Sequence, residues 1–307
     1  MHRKLTIIGY GTAGQDCLDA VLAEEKSVFT QVDIIEPNHE MLGGVDRKLE
    51  HKGVKCSFFS HVKACDSDFD VIFLSVPPSQ MRSVINNILE SSFSSFVIEK
   101  PGPLPILDRT EGIYKRILNL EDQVFICHQR QYAEHFLWVH EQIKKEAIGA
   151  VDNAVLTLGK WDYLTAGTHW MALCHFLFGT PSEAIGVSRY VGNLSKKYGY
   201  EIENEAIFTT RHDAGVTVQW RLGPTYGHRS DLRILGDNGY IDIKHKNGDL
   251  VRQCSLSGHK VYNNYGNPRY KLLEAAAQGK KPAVGCRFQD LDLYLRLFLA
   301  LKSSPRP

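Results

Sequence analysis

The stretch Leu5-Thr6-Ile7-Ile8-Gly9-Tyr10-Gly11-Thr12-Ala13-Gly14 decides the fold. Residues 5–8 form a short apolar run, a G-x-G-x-x-G follows at once, and residues 13–23 repeat apolar positions at helical spacing. The glycines therefore stand where a buried strand turns into a helix. In that setting the first glycine permits the tight turn, the second lets the backbone approach a pyrophosphate, and the third allows the helix to pack closely on the strand. The N–H groups that open the helix face the anion. Gly9, Gly11, Thr12, Ala13 and Gly14 are thus expected to hold a dinucleotide.

Outward from this turn the same rhythm continues. Short apolar runs at 32–35, 71–76, 96–98 and 124–127 alternate with helical spacing at 81–89 and 108–120. Parallel neighbours need a crossover and the helix supplies it, so the first half reads as a doubly wound parallel sheet covered on both faces. The run at 32–35 ends in Ile34-Ile35-Glu36, 22 residues beyond Gly14. A carboxylate there accepts the hydrogen bonds of an adenosine ribose. Glu36 predicts NAD rather than NADP, because a 2′-phosphate would meet like charge and Pro37-Asn38-His39 offers no arginine. Ser75 and Pro77, around the end of the run at 71–76, are expected beside the same cofactor.

After a helix expected over 132–145 the rhythm changes. Strand candidates at 154–158, 206–210, 216–222 and 232–235 are joined by compact turns such as Asp237-Asn238-Gly239 and Asn247-Gly248. Val216, Val218, Trp220 and Leu222 alternate with Thr217, Gln219 and Arg221, as in an antiparallel sheet with one wet face. Late helices are expected over 269–278, stopped by Gly279, and over 288–302. The expected organisation is α/β: a Rossmann domain over 1–125, then an α+β domain with an open, mostly antiparallel sheet over 126–307, for substrate binding and oligomerisation.

Composition narrows the partners. The 307 residues balance 36 Lys plus Arg against 35 Asp plus Glu, which leaves no basic footprint for nucleic acid or an anionic membrane. Seven cysteines, at 17, 56, 65, 127, 174, 254 and 286, include no C-x-x-C pair, and their odd number argues against a disulfide framework. The first apolar stretch stops at Gly9, too short for a signal-peptide core, and no 18-residue apolar run occurs. A cytoplasmic protein with a small-molecule partner is expected, and Asn193-Leu194-Ser195 carries no meaning as a glycosylation acceptor.

Val97-Ile98-Glu99-Lys100-Pro101 ends one of the parallel strands, and Gly167-Thr168-His169 heads an apolar helix ending in Phe178-Gly179. Arg130, Ile148-Gly149, Gly236, Gly239 and Gly285-Cys286-Arg287 follow in order. Together with the dinucleotide turn, these residues make the chain resemble the glucose-fructose oxidoreductase / inositol dehydrogenase (Gfo/Idh/MocA) family over most of its length. Lys100 is well placed before any family is invoked, since ligands of such sheets bind at the carboxyl ends of the strands. Its ammonium favours negative charge developing on a reacting oxygen or nitrogen. The resemblance makes Lys100 the principal catalytic residue; Glu99 beside it can orient it through a salt bridge, and Glu99 and Lys100 are both expected to line the cofactor. It makes His169 the acid/base, whose ordinary pKa near neutrality suits proton exchange with an alcohol, carbonyl or imine. Family members often pair through the second sheet, which implies a homo-oligomer.

The chain also departs from that family. Thr165 and Ala172 stand where acids are common, and Met81 replaces a frequent histidine. Asp162 or Tyr163 could compensate, and Tyr163 is held as a reserve catalytic candidate. The function expected is NAD(H)-dependent hydride transfer to or from a carbon bearing oxygen in a sugar, sugar nucleotide or polyol. Reduction of an imine or other non-sugar substrate, or a non-catalytic NAD-binding regulator, are the alternatives. His169, Cys174 and His175 do not converge as i and i+4 metal ligands would. Lys196-Lys197 with Arg189 reads as a solvated loop, Phe136-Leu137-Trp138 as helix packing, and Tyr226, His228 and Arg229 as candidates for the cleft.

Overall fold

The computed structural model describes residues 2–62, 68–103, 111–159, 163–194, 201–227, 230–245, 249–262 and 264–303. Asp162, Lys196, Lys197, His228 and Arg229 lie outside the described residues, as do Cys65, Ser195 and the start of the helix expected from residue 108. The chain divides into two compact units, Met1–Cys127 with Arg269–Leu291, and His128–Pro268 with Asp292–Pro307.

In the first unit β1 (Arg3–Ile8), α1 (Thr12–Leu22), β2 (Phe29–Ile35), α2 (Val45–His51), β3 (Lys55–Phe59), β4 (Asp68–Leu74), α3 (Pro78–Ile88), β5 (Ser92–Ile98), α4 (Gly112–Asn119) and β6 (Val124–Ile126) follow one another. The six strands form one parallel sheet in the order β3-β2-β1-β4-β5-β6. Leu5, Ile7, Val71, Phe73, Val97 and Phe125 are fully buried, and so are their neighbours Ile72, Phe96, Ile98 and Val124. Burial of consecutive residues, which point to opposite faces, shows that both faces of the sheet are covered. β3 is absent from the apolar runs of the sequence because it is an edge strand whose residues are all partly exposed.

The second unit holds α5 (Glu134–Lys144), β7 (Val151–Leu158), α6 (Thr168–Phe178), β8 (Pro181–Leu194), β9 (Glu201–His212), β10 (Thr217–Leu222), β11 (Ser230–Gly236), β12 (Gly239–His245), β13 (Asp249–Ser255) and β14 (Gly258–Tyr262), and α7 (Pro268–Ala277) and α8 (Phe288–Ser303) come after them in the chain. Eight strands pair in the order β14-β13-β12-β11-β7-β10-β9-β8. Every pair is antiparallel except β7 with β10. The alternation expected on β10 is present: Val218, Trp220 and Leu222 are buried while Arg221 is exposed. Trp220 stacks on Phe208 with centroids 5.3 Å apart. Phe136 packs edge-on against Trp170 and Trp138 stacks on Tyr262, which makes that aromatic stretch of α5 a packing surface.

The domain boundary expected from the sequence needs one correction. The segment Arg269–Leu291, assigned above to the second domain, packs with the first unit. Tyr270 sets its ring edge-on to Phe29 at 6.4 Å and accepts the Val28 N–H at 2.9 Å. Ser95 donates its hydroxyl to the Ala276 carbonyl at 2.9 Å, and the Ile126 N–H donates to Cys286 at 2.6 Å. Buried apolar contact and filled backbone valences hold the segment there.

Candidate functional site

The glycine turn is shaped by close contacts. Gly9 has φ +87°, and a Cβ on it would stand 2.9 Å from the Ser75 carbonyl oxygen. A Cβ on Gly14 would stand 2.2 Å from the Gly9 carbonyl oxygen, so only glycine lets α1 lie this close to the turn. Gly11 is the opposite case, with no heavy atom within 4 Å of such a Cβ. Space is open at the position where a pyrophosphate needs to approach backbone, and α1 begins there at Thr12 with no side chain capping its first N–H groups. Ser75 donates its hydroxyl to the Gly9 carbonyl at 2.6 Å, and Pro77 precedes α3 as its N-cap.

Glu36 is tied into the same turn. One carboxylate oxygen accepts the Tyr10 N–H and the other the Asn38 N–H, both at 2.9 Å, while the Glu36 N–H is held by the Phe59 carbonyl. An ionised carboxylate offers about four acceptor positions. Two are used by these bonds, which fix the group and leave capacity for hydroxyl donors. Burial pushes the neighbouring Tyr10 phenol up to about 12.

Glu99 and Lys100 follow β5 at the carboxyl edge of the sheet, and the Lys100–Pro101 peptide is cis. Lys100 Nζ lies 3.7 Å from Glu99 Oε1, with the lysine side chain 26 % exposed and that of Glu99 9 %. Glu99 Oε2 has no hydrogen-bond partner among the described residues and lies 4.0 Å from Arg269 Nη1. The first unit thus gathers the glycine turn, Glu36, Ser75, Glu99 and Lys100 along one edge of one sheet.

His169 belongs to the second unit, as the second residue of α6. Its ring stands edge-on to that of the fully buried His128, with centroids 5.2 Å apart. His128 in turn lies 6.0 Å from Tyr294, whose hydroxyl bonds His175 Nδ1 at 2.9 Å. Arg130 rests over the Trp170 ring at 4.2 Å. Ala172 is fully buried.

Tyr163, the reserve candidate, sits in the core of the second unit. It is fully buried, stacked on Phe298 at 5.2 Å, and its hydroxyl donates to the Tyr294 carbonyl. His128, Tyr294 and Arg269 were not found from sequence. They meet their partners across 41, 119 and 170 positions or more of chain, and no local spacing marks such contacts.

The domain family described as NADP oxidoreductase, coenzyme F420-dependent, matches residues 4–99, less than half of the chain. No curated protein sequence matches. Among solved structures, an oxidoreductase from Agrobacterium radiobacter in complex with NAD+, L-tartaric acid and magnesium aligns with TM-score 0.74 and 12 % identity, covering 98 % of this chain and 95 % of its own. A 3-ketoreductase from Actinomadura kijaniata in complex with NADP and TDP-benzene aligns with TM-score 0.74 and 14 % identity, covering 100 % and 98 %. UDP-N-acetylglucosamine 3-dehydrogenase from Acidithiobacillus ferrooxidans aligns with TM-score 0.72 and 17 % identity, covering 98 % and 97 %. At these identities the likeness is one of fold. No helix among the described residues is long and apolar enough to cross a membrane.

Proposed function

We propose that the chain is a nicotinamide-dinucleotide-dependent oxidoreductase of the Gfo/Idh/MocA type, acting on a small molecule with a carbon bearing oxygen, such as a sugar, sugar nucleotide or polyol. The observation that carries this reading is the convergence of an open Gly11, a fixed Glu36 and a partly exposed Lys100 on one sheet edge. The NAD and NADP complexes of the fold neighbours, and the sugar nucleotide that one of them names as substrate, support it.

NAD is the preferred cofactor in this proposal, because Glu36 is buried beside the turn and opposes a 2′-phosphate. The turn Gly9–Gly14 and the N-terminus of α1 hold the pyrophosphate, Glu36 the ribose, and Ser75, Pro77 and Glu99 line the remainder. The bound dinucleotide carries the hydride. Lys100 hydrogen-bonds the reacting oxygen and stabilises charge developing on it. His169 exchanges the proton. The buried Ala172 supplies no acceptor for a hydroxyl pair, which favours an imine or other non-sugar substrate as the second reading. We also propose a cytoplasmic location and pairing of two copies through the wet face of the second sheet, which carries Gln219, Arg221 and Arg233.

The test follows nicotinamide absorbance with panels of sugar nucleotides, polyols, keto-acids and imines, using the wild type and Lys100→Met. Turnover with one class, reduced at least about 10²-fold in the variant, supports the reading. Binding of dinucleotide with no turnover of any class would make the protein a regulator, and unchanged turnover in the variant would remove Lys100 from the chemistry.

A further inference from the structure

Arg269 reaches the sheet edge from a segment that enters the first unit only after the chain has built the whole second sheet. Its side chain is only 14 % exposed. Nη1 donates to the Ala13 carbonyl at 3.1 Å, inside the first turn of α1. The guanidinium also lies 3.9 Å from Asp16 and 5.8 Å from the centroid of the Phe73 ring. Its fourth neighbour is Glu99 Oε2 at 4.0 Å, and the other oxygen of Glu99 faces Lys100 at 3.7 Å.

We propose that Arg269 is a positioning residue for Lys100, acting through Glu99, and that it also sets the distance between the phosphate turn and the end of β5. The proposal rests on the function proposed above. Glu99 stands between two cations. With Arg269 present, its charge is shared and Lys100 remains available to a reacting atom. Without Arg269, Lys100 is the one cation left beside this mostly buried carboxylate among the described residues, and the ammonium is drawn onto it. The planar fork suits this place, because it serves a backbone carbonyl and a carboxylate at once, which the single ammonium of lysine does less well. The glycine turn and Lys100 lie in separate elements, and a site of this kind needs supporting groups that hold such elements in register.

The experiment uses the full chain without added cofactor. Trace acetylation of Lys100 is quantified by peptide mass spectrometry against the exposed Lys145, in the wild type, Arg269→Lys and Arg269→Gln. A Lys100 drawn onto Glu99 offers its amine to the reagent less often. Acetylation of Lys100 is expected to slow about twofold in Arg269→Lys and at least fourfold in Arg269→Gln. Should Arg269→Gln show no cooperative melt, Arg269→Lys decides alone by the same criterion. Wild-type rates at Lys100 overturn the proposal. In turnover, Arg269→Gln is expected to lower kcat at least tenfold with substrate KM within threefold, and to have no further effect in a Lys100→Met background. The acetylation result stands whether or not hydride transfer is found, so failure of the functional reading and failure of this inference are separable.

Discussion

The Tyr10 N–H donates to Glu36 Oε2 across 2.9 Å, which ties the second residue of the phosphate turn to the carboxylate at the end of β2. The group proposed to read the ribose is therefore held by the loop proposed to hold the pyrophosphate, and the two parts of a dinucleotide site are preorganised together.

Glu36→Gln replaces one acceptor oxygen by an NH2 that opposes a backbone N–H, whichever way the amide turns. The loss of a buried charged acceptor costs about 1–3 kcal/mol. Calorimetry should show NAD affinity reduced roughly tenfold or more, with NADP affected less because the charge that opposes its phosphate is gone. Equal losses for both would show that Glu36 does not discriminate them.

Gly11→Ala and Gly14→Ala separate folding from binding. The new methyl meets nothing within 4 Å at residue 11, and a backbone oxygen at 2.2 Å at residue 14. Gly11→Ala should melt like the wild type and lose dinucleotide binding. Gly14→Ala should lower stability by about 1–3 kcal/mol, as overpacking does. A thermal melt and a titration of each variant suffice to check both.

His212 predicts the acid limb of stability. Its Nδ1 lies 2.9 Å from the Gly179 carbonyl, an acceptor, so Nδ1 carries the hydrogen. Nε2 then accepts from the Thr210 hydroxyl at 3.2 Å, and Thr210 accepts the Trp220 indole N–H at 2.9 Å. Burial pushes the imidazole from 6.5 down to about 4, against the Gly179 bond, which favours the charged form. Between these values the unfolded chain binds a proton that the folded chain does not. Stability from this group is complete above about pH 6.5, falls as pH drops toward 4, and the total loss is about 3 kcal/mol. Urea unfolding across that window should show the slope in the wild type and a shallower one in His212→Gln.

Much of the fold is legible in the sequence for a physical reason. Strands buried on both faces, such as Leu5 to Ile8 and Val71 to Leu74, appear as unbroken apolar runs, and the glycine turn sits directly behind one of them. β3 is missed because an edge strand is half wet, and β14 because every residue up to Val261 is exposed. The return of Arg269–Leu291 to the first unit has no marker in composition, since the buried face of α7, with Tyr270, Leu272, Leu273 and Ala276, suits either domain equally well. Tyr163 reads as a candidate by its place near His169, and its packing against Phe298 has no mark in the sequence. The placement of Lys100 follows from strand periodicity alone, whereas its coupling to Arg269 exists only in three dimensions.

The central claim is that the edge formed by Gly9–Gly14, Glu36 and Lys100 binds a nicotinamide dinucleotide, and isothermal titration of the purified chain with NADH tests it most directly. The account predicts saturable heat at one dinucleotide per chain, abolished in Gly11→Ala and retained in Lys100→Met. Absence of heat with both NAD+ and NADH in the wild type contradicts it.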